Sequence, residues 1–136
     1  MMMGKRELIL TELKTTLNSI PGVTAKRGVR EPELEDIEVS SLPLLVVTDG
    51  GEELLSQKGA GYRSRLRVAI FGYIADQNNP STTLNTLLAD VRAALDEDIT
   101  RGGNAVNSEF RSVVINPKLK RPYAGFALTL VIIYFE

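Results

Sequence analysis

The chain contains neither cysteine nor histidine. Without cysteine there is no disulfide framework, no thiolate nucleophile and no zinc site built on sulfur, a composition that fits a reducing, intracellular origin. Without histidine the commonest general base and the commonest transition-metal ligand are also missing, so the prior for catalysis falls. Neither sign of charge is in excess: 16 basic residues face 17 acidic ones, so any attraction to DNA or to anionic lipid has to come from a local patch. Long apolar runs are scarce. The longest, "FALTLVIIYF" at residues 126–135, is about half of the ~20 residues that a bilayer-spanning helix needs, and its β-branched and aromatic content reads as a buried strand. The N-terminus "MMMGKRELIL" lacks the apolar stretch and cleavage site of a signal peptide. No repeat, low-complexity tract or linker divides the chain, and residues 1–136 are expected to form one domain large enough to bury a core without cross-links.

What is present alternates between two periodicities. Ile9, Leu13, Leu17 and Ile20, with Leu10 beside them, predict a helix over Lys5–Ile20 that "IPGV" stops. A short strand is expected over Thr24–Val29, followed by the acidic loop or edge "REPELEDIE". "LPLLVV" reads as a buried strand ending at Val47 before the turn signal "DGG". "GEELLSQKGAG" is either a mobile connection or a hairpin tip leading into a long strand, "YRSRLRVAIFGYI". A second helix follows Pro80, with Ser81 or Thr82 as N-cap and Leu84, Leu87, Leu88, Val91 and Leu95 along one face. Strands over Ser112–Ile115 and Tyr123–Phe135, separated by the basic turn "NPKLKRP", complete the chain. This order of helix, strands, helix, strands predicts an α+β domain in which an antiparallel sheet carries two amphipathic helices.

Sites for chemistry are weak. "GAGYRS" lacks the third glycine of a dinucleotide fingerprint and leads into a strand instead of a helix. Asp96, Glu97 and Asp98 are consecutive, so on a helix their carboxylates diverge and read as a solvated helix end, not a metal or catalytic site. No serine–lysine or nucleophile-elbow arrangement is present. No enzyme, cofactor or metal is expected.

The long strand carries the functional question. Its alternation puts Arg63, Arg65 and Arg67 on one face with Ala69, Phe71 and Tyr73, and Leu66, Val68, Ile70 and Ile74 on the other. Half of the strand is therefore expected to lie outside the core. The arginines have three readings: a solvated face whose ion pairs are worth about 0–1 kcal/mol each, a phosphate-binding surface with Phe71 and Tyr73 as stacking platforms, or a contact between subunits. The chain supplies an acidic counterpart for the third in Glu31, Glu33, Glu35, Asp36 and Glu38. Complementary patches at different places on one chain make head-to-tail contacts, which close into rings where the rotation permits.

The succession of a helix closing on "SIPGV", the strand "LPLLVV", the long strand "LRVAIFGYIAD", the helix "LNTLLADVRAAL" and the terminal strand "FALTLVIIYFE" resembles the tail terminator, or tail completion, proteins of long-tailed bacteriophages along nearly the whole chain. The resemblance implies a small α+β virion protein, made in the host cytoplasm, that forms a hexameric ring at the junction of tail and neck. It implies contacts with further copies of itself, with the tail tube protein and with a head-to-tail connector or neck protein, and it implies neither enzymatic activity nor a cofactor. DNA would pass through the lumen without specific binding, and no membrane is involved. A connector or stopper of the neck, or a small nucleic-acid-binding module using Arg63, Arg65 and Arg67, are the alternatives.

Overall fold

The computed structural model describes residues 4–59 and 61–136; Met1–Met3, at the start of the N-terminal stretch, and Ala60, inside "GAGYRS", lie outside the described residues. The elements are helix α1 (Lys5–Asn18), strands β1 (Thr24–Gly28), β2 (Leu44–Lys58) and β3 (Gly61–Ala75), helix α2 (Pro80–Asp96), and strands β4 (Asn107–Ile115) and β5 (Tyr123–Phe135). They build an α+β fold around a five-stranded sheet of order β1-β2-β3-β5-β4. The sheet is mixed where an antiparallel one was expected, because β1 pairs parallel with β2, from Thr24 opposite Leu44 to Gly28 opposite Thr48. A parallel pair needs a crossover, and residues 29–43, which contain the acidic segment, supply it.

Both helices pack on one face of the sheet. Ile9, Leu10, Leu13 and Leu17 of α1 and Leu84, Leu87, Val91 and Leu95 of α2 join Leu45 and Val47 of β2, Leu66, Val68, Ile70 and Ile74 of β3, and the even-numbered residues Phe126 to Tyr134 of β5 in a single core. Burying a side chain of this size contributes about 1.5–3 kcal/mol, so this face alone explains why the periodicities of α1, α2, β3 and β5 are so regular. Gly72 has a specific packing role here. It lies opposite Phe126, and a Cβ at that position would come within 2.4 Å of the ring.

Several boundaries move for identifiable reasons. Helix α1 ends at Asn18, short of Ile20, because the Asn18 side chain turns to β1, accepting from the Ala25 N–H at 2.8 Å and donating to its carbonyl at 3.1 Å. Helix α2 begins at Pro80, and neither Ser81 nor Thr82 caps it. Asp76 organises that end instead, its carboxylate accepting from the backbone N–H groups of Asn78 and Asn79 and from the Thr83 hydroxyl. "DGG" is not a turn: Gly50 and Gly51 stand opposite the single residue Arg67 as a β-bulge, and β2 runs on to a hairpin tip at Gly59. Strand β4 starts at Asn107, five residues before the predicted start at Ser112.

Beyond α2 the chain turns through Asp98, whose carboxylate accepts from the Thr100 hydroxyl and from the backbone N–H groups of Thr100 and Gly102. Led by the Thr100 hydroxyl, these donors hold its pKa down at about 2. A depressed carboxylate stabilises the fold above its unfolded pKa and loses that contribution as pH falls through the folded value. The melting temperature of the wild-type chain is therefore expected to drop between about pH 4 and pH 2 more steeply than that of Asp98→Asn. Melts of the two proteins across that range check this; parallel curves would exclude Asp98 as a source of the acid sensitivity.

Candidate functional site

The face of the sheet opposite the helices is where the nominated residues gather. Arg63, Arg65 and Arg67 do not leave the core as half a strand. Strand β5 flanks β3 from Arg63 opposite Phe135 to Ala75 opposite Tyr123, and on the helix side Ser64, Leu66 and Val68 are buried. The arginines lie outside the core because no element covers their face, not because the strand projects.

At the arginine end this face forms an open groove of about 610 Å³ lined by Arg65, Arg67, Arg111, Ser112, Thr129 and Val131. Arg65 is held by Glu53, opposite it on β2, with Nη1 3.2 Å from Oε2. The bulge at Gly50 and Gly51 sets the phase of β2 that makes this pair possible. The Nε of Arg65 is buried without a hydrogen-bond partner. Arg67 is exposed and, like Arg63, forms no ion pair among the described residues. Arg111, which the sequence pattern did not single out, enters the groove from a second bulge in β4, between Phe110 and Ser112, and reaches Glu109 at 3.3 Å. Arg111 precedes Ser112, where the strand is expected to begin, and at a strand irregularity an arginine has no clear face in the alternation, so the pattern does not place it with the others.

The other end of the face is apolar. Phe71, Tyr73, Val114 and Ala127 line a second groove of about 380 Å³, rimmed by Glu31 and Lys118. Beside it, Ile37, Val39 and Leu42 of the crossover from β1 to β2 line a smaller cavity of about 100 Å³ together with Tyr73, Ile74 and Tyr123. Burial, followed by the Glu31 carboxylate, pushes the Tyr73 hydroxyl up to about 12. The crossover is neither a simple loop nor a strand edge. It is folded into two short 3-10 turns, Leu34–Asp36 and Val39–Ser41, closed by hydrogen bonds from Asp36 N–H to the Glu33 carbonyl and from Ser41 N–H to the Glu38 carbonyl. Glu31, Glu33, Glu35, Asp36 and Glu38 are all exposed, and among the described residues none of them is in an ion pair.

Within one chain, then, the two charged patches do not meet. Arg65 and Tyr73, which mark the two ends, are eight residues apart on one strand, about 26 Å at ~3.3 Å per residue. That exceeds the Debye length of about 8 Å at physiological salt, so the patches barely influence each other within the chain. No group of acidic side chains among the described residues is arranged to hold a metal ion, and no described helix is long and apolar enough to cross a membrane.

Similarity to known proteins is visible in three dimensions only. A chain from a structure of the virion of a native gene transfer agent particle superimposes with a TM-score of 0.53 over 96% of this chain and 94% of that one, at 12% identity. The two share a fold from end to end. No family model and no curated protein sequence matches.

Proposed function

We propose that this chain is a structural virion protein that forms a ring, expected to be hexameric, on the end of a tail tube, ends the tube's polymerisation and supports joining to the head. The observation that carries the reading is the end-to-end likeness to a chain of a gene transfer agent virion, 96% and 94% of the two lengths, which agrees with the resemblance of the hydrophobic segments to tail terminator proteins. A sheet face left largely open, with an exposed Arg67 and an acidic crossover that are in no ion pair among the described residues, supports assembly, since such surfaces are satisfied by other copies or other proteins. The reading implies no catalysis, a place in the virion at the junction of tail and neck, and contacts with the tube protein and a neck protein.

Particles assembled without this chain are expected to carry tails of irregular length or tails that fail to join heads, as counted in electron micrographs. Tails of normal length joined normally to heads would reject the reading. Labelling the chain in complete particles separates a tail terminator from a connector or stopper, because only the terminator sits directly on the last ring of the tube.

A further inference from the structure

We propose that the arginine groove of one copy receives the acidic crossover of the next, an inference that rests on the ring reading and names its contact. The groove offers the guanidinium groups of Arg65, Arg67 and Arg111, with Ser112 and Thr129 as hydroxyl partners. Of these, Arg67 is exposed and in no ion pair among the described residues, and Arg65 and Arg111 keep further N–H donors beyond their contacts with Glu53 and Glu109. The crossover offers five exposed carboxylates, Glu31, Glu33, Glu35, Asp36 and Glu38. It is preshaped: Pro32 limits its entry, and two 3-10 turns, closed by backbone hydrogen bonds from Asp36 to Glu33 and from Ser41 to Glu38, fold it. Little ordering entropy is lost when a segment of this kind docks. Because the two patches sit at opposite ends of one sheet face, a copy cannot satisfy its own groove. Each copy instead has one of each to offer its neighbours, the head-to-tail arrangement from which a ring closes. A second copy of this chain is the occupant, and charge complementarity selects it.

The test is a pair of complementary variants. Arg67→Glu with Arg111→Glu makes the groove acidic and leaves the Arg65–Glu53 pair in place; Glu33→Lys with Glu35→Lys and Glu38→Lys makes the crossover basic. Alone, each places like charges across the contact and is expected to associate about a hundredfold more weakly than wild type, by light scattering of the free protein and by sedimentation with tail tubes. Mixed in equal amounts, acidic grooves meet basic crossovers and basic grooves meet acidic crossovers, so association is restored and the particles contain the two variants in alternation. Melts confirm that each variant is folded, and the neutral versions, Arg67→Gln with Arg111→Gln and Glu33→Gln with Glu35→Gln and Glu38→Gln, replace any that is not; each of these should weaken association by a smaller factor. Variants that assemble as well as wild type, or a mixture no better than its components, overturn the contact while leaving the ring reading intact. A wild-type chain that joins tube ends only as single copies overturns both.

Discussion

Replacing Arg101 by alanine is expected to cost about 3–5 kcal/mol, the range for breaking a buried charge pair by removing one partner, which is a large part of the roughly 5–15 kcal/mol that holds a domain together. Arg101 is fully buried in the turn after α2, with a left-handed backbone (φ 50°). Its Nη2 donates to the carbonyls of Leu95 and Asp98, where the C-terminal carbonyls of α2 would otherwise go unsatisfied. Nη1 lies 3.5 Å from Oε2 of Glu12 on α1. Burial pushes the pKa of the guanidinium down, and Glu12, Asp98 and Asp96 oppose it, so the group stays charged and ties the two helices together. Alanine would leave the buried Oε2 of Glu12, which already lacks a hydrogen bond, without its counter-charge. Lysine restores the charge but not the fork of donors, and should recover only part of the loss. Urea unfolding measures both variants; an unchanged midpoint for Arg101→Ala would show that the helix end is satisfied without it.

Gly50→Ala is expected to destabilise the chain by about 3 kcal/mol or more, at or beyond the top of the range for overpacking, whereas Gly51→Ala next to it should stay within about 0.5 kcal/mol of wild type. The difference lies in the bulge. A Cβ on Gly50 would fall 1.7 Å from the carbonyl oxygen of Arg67, while one on Gly51 meets nothing within 4 Å. The obstacle is backbone, held in β3 between β2 and β5, so no rotamer change relieves it. Gly50 also accepts a hydrogen bond from Arg6 of α1 at 2.8 Å, which fixes the bulge to the helix layer. Losing the bulge would shift the phase of β2 beyond Asp49 and take Glu53 away from Arg65, so Gly50→Ala should also impair assembly where the fold survives. Equal unfolding midpoints for the two alanine variants would contradict this account.

The elements that were legible in the sequence are those whose pattern is imposed by the core. Strand β5 runs from Tyr123 to Phe135, as its apolar run predicts, and α2 shows the expected buried face of Leu84, Leu87, Val91 and Leu95. Where solvent lies on both sides the pattern fades. The second half of β2 has lost β1 as a neighbour and faces water along its outer edge, so "GEELLSQK" carries no alternation to read; of its two readings, the hairpin tip is the one observed. Two glycines that read as a turn became a bulge because β3 continues opposite them. The first residues of β4 were hidden in the same way, since only Phe110 among them packs against the core.

The sequence by itself determined the α+β class, the order of helices and strands, the absence of sulfur and imidazole chemistry, and the two charged patches, because composition and side-chain period are local properties of the chain. Tertiary structure alone decided that β1 adds to the sheet in parallel, that both helices cover the same face, that Arg111 joins Arg65 and Arg67, and that Arg101 is buried between helices. Each of these depends on which distant segments become neighbours. Strand alternation gives the two sides of a strand but not which side a helix will cover, and the side left open is where the charged residues meet solvent.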